Sequence, residues 1–147
     1  MSIVEIPIKA LDEGLDLPKY AHAGDAGVDL RSTADLTLQP FERAMAPCGF
    51  AMALPEGYAG FVLPRSGLAA KHGISIVNAP GLIDSGYRGE VKVVLVNLDP
   101  HEPFVVNRGD RIAQLVVMPV PAAELRPTDD LSETARGAGG FGSSGVS

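Results

Sequence analysis

Glycine and proline punctuate this chain from end to end, 17 and 12 times in 147 residues, and leave only short stretches in which regular structure can run uninterrupted. Proline removes a hydrogen-bond donor and collides with the preceding helical turn, while glycine carries an entropic cost in a helix interior. The stretches between them read "GFAMALP", "GFVLP", "ISIVNAP", "VKVVLVNL", "FVVN" and "RIAQLVVMPV". Such short apolar or alternating runs, separated by turn residues, build strands, so the expected fold is all-β, a sandwich or barrel. Helix has one place. "SGLAAKHG" (Ser66 to Gly73) has room for about two turns, with Ser66 expected as N-cap and Gly73 as the C′ residue that ends it.

Hydrophobic residues make up 46% of the chain, enough at this length for one domain with a core of its own. The segment "VKVVLVN", Val91 to Asn97, is apolar on both faces apart from Lys92, which predicts a strand covered on both sides. In so small a domain that surplus of apolar surface points to burial between the subunits of a homo-oligomer. No apolar run approaches the roughly 18 residues of a membrane span, and the N-terminus lacks a basic region followed by a cleavable apolar stretch. The expectation is a soluble, cytoplasmic protein with no membrane partner. Cys48 is the single cysteine, which leaves no intrachain disulfide and no cysteine zinc site; a small buried hydrophobe is expected there. A formal charge of -6 disfavours nucleic acid as a partner, because polymer binding rests on many Lys and Arg contacts to phosphates. A small anion can still bind locally.

Five constellations carry chemistry. "AGDAGVDL" holds Asp25 and Asp29 in a turn leading to a strand, where carboxylates either form the turn or reach a metal. "LPRSGLAAKHG" sets Arg65, Ser66 and Gly67 at the mouth of the short helix, an arrangement that either caps and solvates or holds an anion; His72, without an acidic or cysteine partner, reads as structural. "NAPGLIDSGYRGEVKV" bends at "PG" and "SG" into an expected hairpin-like loop presenting Asn78, Asp84 and Tyr87 together. Those residues offer a base-edge donor and acceptor, a proton acceptor and a flat face for a sugar. "NRGDRIAQL" contains Arg108-Gly109-Asp110, read as a charged turn, and Gln114, which interrupts an apolar strand and is therefore exposed or buried against a partner such as a ligand.

The fifth is the C-terminal "ARGAGGFGSSGVS". It contains G-x-G-x-x-G from Gly137 to Gly142 and again from Gly140 to Gly145, but only two residues follow Gly145, so no dinucleotide-binding βαβ unit can form. Arg136 and Phe141 are out of place in a plain linker. Arginine can fork onto a terminal phosphate and phenylalanine can stack on a base. Because "PTDDLSETARGAGG" loses apolar residues and gains acids, hydroxyls and glycine, residues 1–135 are expected as one β domain and 136–147 as a mobile glycine-rich lid.

Taken in this order, "AGDAGVDL", "PRSGLA", "NAPGLIDSGYRGE", "RGDRIAQL" and "RGAGGFGSSG" resemble the five motifs of the trimeric dUTPases, over about residues 21 to 145. The resemblance implies a jelly-roll or β-clip-like subunit with one short helix and a flexible C-terminal arm, associated as a homotrimer with active sites at the subunit interfaces. It implies Mg2+-dependent hydrolysis of dUTP to dUMP and pyrophosphate, supplying dUMP for thymidylate synthesis and keeping uracil out of DNA. Carried over by position, Asp84 is the catalytic base for the water that attacks the α-phosphorus. Asn78 bonds uracil, with the loop near Leu82 and Ile83, and Tyr87 packs beneath the deoxyribose, leaving no room for a 2′-hydroxyl. Arg65, Ser66 and Gly67 hold phosphates, Gln114 meets the α-phosphate region, and Asp29 acts through water on the magnesium. Arg136 reaches the γ-phosphate, Phe141 covers uracil, and Ser143, beside Gly142 and Ser144, bonds phosphate; Lys92 is a further substrate contact. Many members have Thr where Ser144 stands, which keeps a hydroxyl, and Tyr or Leu where Val28 stands, a packing position. The alternatives are a dCTP deaminase-like or bifunctional relative of the same fold, and a non-enzymatic jelly-roll binding protein.

Overall fold

The computed structural model describes residues 2–147. Ten strands and one helix follow in chain order: β1 (Ile8–Ala10), β2 (Val28–Arg31), β3 (Leu36–Leu38), β4 (Arg43–Met52), β5 (Tyr58–Leu63), α1 (Ser66–His72), β6 (Ile74–Ile76), β7 (Gly81–Ile83), β8 (Glu90–Asn97), β9 (Phe104–Val106) and β10 (Arg111–Pro119). They form two four-stranded sheets, β1-β4-β8-β6 and β2-β10-β5-β7, with β3 and β9 as a separate pair, and every pairing is antiparallel. The result is a jelly-roll-type sandwich with open sheet edges: the punctuation by glycine and proline predicts the all-β sandwich, and the family resemblance implies the jelly roll.

The core lies between the two sheets. Val91, Val93 and Leu95 from β8 meet Leu30, Val62, Ile112 and Leu115 from the other sheet in one buried cluster with Phe50. Within the chain β8 is therefore one-sided. Its other face carries exposed Lys92 and half-buried Val94 and Val96, and the residue paired with Val94 is Met45, 59% exposed. Val28 packs against the core, as its sequence position suggests.

Asn97, a polar residue at the end of β8, is fully buried because all its polar atoms are used. Its Nδ2 donates to the carbonyls of Leu38 (3.0 Å) and Glu102 (2.8 Å), and its Oδ1 accepts from the Asp99 amide at 2.9 Å. A buried amide so satisfied ties the β3–β9 pair to the main sheet.

The helix ends as expected and begins differently. Gly73 stands at the C-terminus in the left-handed region (φ 67°), a conformation that glycine adopts without a Cβ penalty. The N-cap is Arg65, not Ser66, and no side chain caps the helix. Ser66 already has helical geometry because Pro64–Arg65 turns the chain one residue earlier, so its hydroxyl is not tied to the helix N-terminus. His72 is structural: its ring packs on Phe104 with centroids 5.2 Å apart.

The Arg108-Gly109-Asp110 triplet is a structural turn. The Arg108 fork grips both oxygens of Asp12 (2.5 and 2.7 Å) and the carbonyl of Thr33 (2.9 Å). Gly109 has φ 91°, and Asp110 accepts the Asn107 amide at 2.8 Å. Arg108 holds the Asp12 carboxyl down at about 2, from an ordinary 3.8. A depressed folded-state value means the pair stabilises the fold fully above about pH 4 and loses that contribution as the pH falls towards 2. Asp12→Asn should lower the thermal midpoint at pH 7 and shrink its fall between pH 4 and 2, measured by calorimetry. An unchanged acid profile would rule the pair out as a contributor. Cys48 is buried, and burial pushes its thiol up to about 12, which removes it from redox chemistry at neutral pH.

Candidate active site

Two groups of predicted residues assemble on the same molecule. The first lies at one end of the β2-β10-β5-β7 sheet. Asp29 on β2 stands in register with Gln114 on β10, which stands in register with Leu63 on β5; Arg65 follows two residues later. The Asp29 carboxylate lies between two guanidinium groups, Arg65 Nε and Arg111 Nη1, each at 3.6 Å. Arg65 also donates to the Arg111 carbonyl at 3.1 Å, and Gln114 Nε2 donates to the Pro64 carbonyl at 3.4 Å. Gln114 is half-buried, so the interruption of its apolar strand serves this cluster. Ser66 and Gly67 are exposed beside it, with open space around Gly67.

The Asp29 ion pairs are long and partly solvated. Such pairs are worth about 1 kcal/mol or less, so a phosphate competes for the arginines without great cost. Asp25, by contrast, accepts the His22 amide at 2.8 Å and forms the turn. Arg111 stands within "NRGDRIAQL", but only the pairing of β2 with β10 reveals its link to Asp29.

The second group surrounds a cavity of about 70 Å³ lined by Asn78, Leu82, Ile83 and Lys92, with Val62 and Ile76 on its apolar wall. The expected hairpin is absent. β6 pairs with β8 in one sheet and β7 pairs with β5 in the other, so residues 77–80 cross between sheets. That crossing opens the cavity and places Asn78 at its mouth. Asp84 and Tyr87 lie beyond β7, at the ends of a tight turn closed by the Tyr87 amide donating to the Asp84 carbonyl at 3.1 Å. Among the described residues nothing in the chain bonds the exposed Asp84 carboxylate. Arg88 staples the turn through the carbonyls of Ser85 (2.6 Å) and Tyr87 (3.1 Å), and the Tyr87 hydroxyl donates to the Glu90 carbonyl at 2.8 Å.

The C-terminal residues join neither group. Residues 121–138 and 141–147 are exposed and carry no strand or helix. Arg136 Nε donates to the Gly139 carbonyl at 2.8 Å, and the Gly137 amide donates to Thr134 at 3.0 Å. The side chain of Phe141 is fully exposed.

Residues 13–145 match the dUTPase family model. The chain belongs to the dUTPase family. It is similar to the deoxyuridine 5'-triphosphate nucleotidohydrolase of Cutibacterium acnes, 58% identical over 147 residues covering 100% of this chain and 95% of that one. With that of Thermobifida fusca it shares 58% identity over 142 residues, 97% of this chain and 79% of the other. Among solved structures, a point mutant of the Staphylococcus bacteriophage 80alpha dUTPase with dUpNHpp superposes with a TM-score of 0.89 at 30% identity, covering 97% of this chain and 99% of that one. A point mutant of the dUTPase from phage phi11 of S. aureus, described with a structural Mg(II) ion, gives 0.81 at 27% identity, covering 88% and 99%. With the family placed, both groups lie within the matched segment, as does the arm through Gly145.

No helix is long and apolar enough to cross a membrane. No group of three or more His, Cys, Asp or Glu side chains that could hold a metal occurs among the described residues. A lone carboxylate suits magnesium, which keeps several waters and is bound through one or two carboxylates and the substrate's phosphates. Asp29, a partly exposed carboxylate whose two ion pairs are long at 3.6 Å, has the chemistry for that part.

Proposed function

We propose that this chain hydrolyses dUTP to dUMP and pyrophosphate by attack of water on the α-phosphorus. The observation that carries this reading is the family match over residues 13–145, which spans every residue assigned a role. In this reading Asn78 bonds the uracil edge in the cavity it shares with Leu82, Ile83 and Lys92. Tyr87 forms the floor beneath the deoxyribose, and Asp84 takes the proton from the attacking water, its carboxylate free to do so. Arg65, Ser66, Gly67 and Gln114 receive the phosphates. Bound magnesium would supply two positive charges against a triphosphate carrying close to four negative ones, and Asp29 would hold it through water. Arg136, Phe141, Gly142, Ser143 and Ser144 close over the nucleotide as a lid formed by residues 136–147.

The register supports an active site shared between copies. Gln114 and Asp29 lie in one row across the sheet, while Ile83 lies in the row of Gly60 and Val117. Counting from Asp29, Asp84 is about 13 Å along the strands and about 14 Å across them, at roughly 3.3 Å per residue and 4.8 Å per strand. Residues so far apart on one copy do not meet at the same α-phosphate. A homotrimer in which one subunit's Asp84 loop faces another's Asp29 and Arg65 brings them together, and the open face of β8, with Met45, Val94 and Val96, is suited to subunit contact.

Incubation with dUTP, dCTP, dTTP and UTP plus magnesium should release pyrophosphate from dUTP alone, with no ammonia from dCTP, and a chelator should stop it. Ammonia from dCTP would support the deaminase relative instead. Sedimentation at micromolar concentration should show the trimer; a monomer would overturn the shared site.

A further inference from the structure

Of the two glycines in the turn between β7 and β8, Gly86 has open space where a Cβ would stand. Gly89 has none. A Cβ there would lie 2.6 Å from Tyr87 Cζ and 2.9 Å from Cε1, with the Tyr87 hydroxyl closer still. The backbone of Gly89 is outside the left-handed region, so alanine can take its conformation without strain. What must yield is the far end of a side chain that is 45% exposed. The hydrogen bond from the Tyr87 hydroxyl to the Glu90 carbonyl is lost with that displacement. The Arg88 guanidinium bonds to the carbonyls of Ser85 and Tyr87 and the backbone bond from the Tyr87 amide to the Asp84 carbonyl do not involve the ring and survive it.

We propose that Gly89 is a specificity-determining positioning residue: the absence of its side chain parks the Tyr87 ring as a fixed wall against the sugar, and any side chain there frees the wall and admits ribonucleotides. This rests on Tyr87 being the floor of the deoxyribose site. A 2′-hydroxyl pressed on a fixed aromatic face loses its water and gains no partner. Once the ring is displaced, the hydroxyl keeps water or finds space. Asp84 stays in place, so the chemical step is spared.

The test compares wild type, Gly89→Ala, Tyr87→Ala and the double variant, with kcat and KM measured for dUTP and UTP. Gly89→Ala should keep its thermal midpoint and keep kcat for dUTP close to wild type. It should raise KM for dUTP and lower the ratio of kcat/KM for dUTP over UTP by roughly 10- to 100-fold. Because Gly89 acts through the ring, the double variant should match Tyr87→Ala. With no tryptophan and three tyrosines in the chain, the tyrosine emission lost in Tyr87→Ala isolates the Tyr87 contribution, and Gly89→Ala should change that difference. An unchanged ratio in Gly89→Ala, or a further loss in the Tyr87→Ala background, overturns the role of Gly89 alone. A wild type without preference for dUTP overturns the proposed function, and the specificity role with it.

Discussion

Replacing Asp84 with asparagine should abolish turnover while dUTP still binds. The expected fall in kcat is roughly 10²- to 10⁴-fold, the range that a positioned general base supplies. Asparagine has the same shape and can still orient a water, but its amide cannot take the proton. The substitution costs the fold little, because the Asp84 side chain is exposed and the turn is closed by backbone groups, the Tyr87 amide and the Asp84 carbonyl. Binding of a non-hydrolysable imido analogue by calorimetry, beside steady-state rates, separates the two effects. Wild-type-like kcat in Asp84→Asn would remove Asp84 as the base and move the chemistry elsewhere in the site.

Deleting residues 136–147 should leave a folded trimer with most activity gone. No described residue from 121 onward is buried, and the hydrogen bonds of the arm run within it, such as Gly139 to Arg136, Ser143 to Gly140 and Gly145 to Gly142, or to the adjacent exposed Thr134. Removing it should therefore move the thermal midpoint by no more than about 2 °C. Ordering about twelve residues costs on the order of 1 to 2 kcal/mol each, more than one stacked ring and one arginine–phosphate contact offset. In the proposed reading an empty site therefore leaves the arm open, and nucleotide, phosphates and metal together would close it. Fully extended, it reaches roughly 40 Å, far enough to serve a neighbouring subunit. Loss of the Arg136 charge and of the cover that excludes water should lower kcat/KM by roughly 10²-fold or more. Full activity of the truncated chain would overturn the lid.

Particular residues show how far the sequence could be read. Gly73 ends α1 as its position predicts, since the left-handed conformation is a local demand. Ser66 does not cap, because Pro64 and Arg65 bend the chain one residue early. Asn78, Leu82, Ile83 and Lys92 meet around one cavity, but not through a hairpin. Glycine and proline specify that a chain bends and leave open which strand it then pairs with. Arg111 and Gly89 carry no signal in the sequence, one because its partner is on another strand, the other because a missing side chain leaves no mark there.

The amino-acid sequence by itself determined the short strands, the single helix, the C-terminal stretch without strand or helix and the chemical identity of each candidate group. Those properties depend on residues within a few positions of one another. Tertiary structure alone decided that β6 and β7 enter different sheets, that Asp29 stands between Arg65 and Arg111, and that Asp84 lies far from them on one copy. The physical reason is that a strand's hydrogen-bonding partners come from distant parts of the chain. Register, which sets every distance in the site, is a property of the pair and not of either strand.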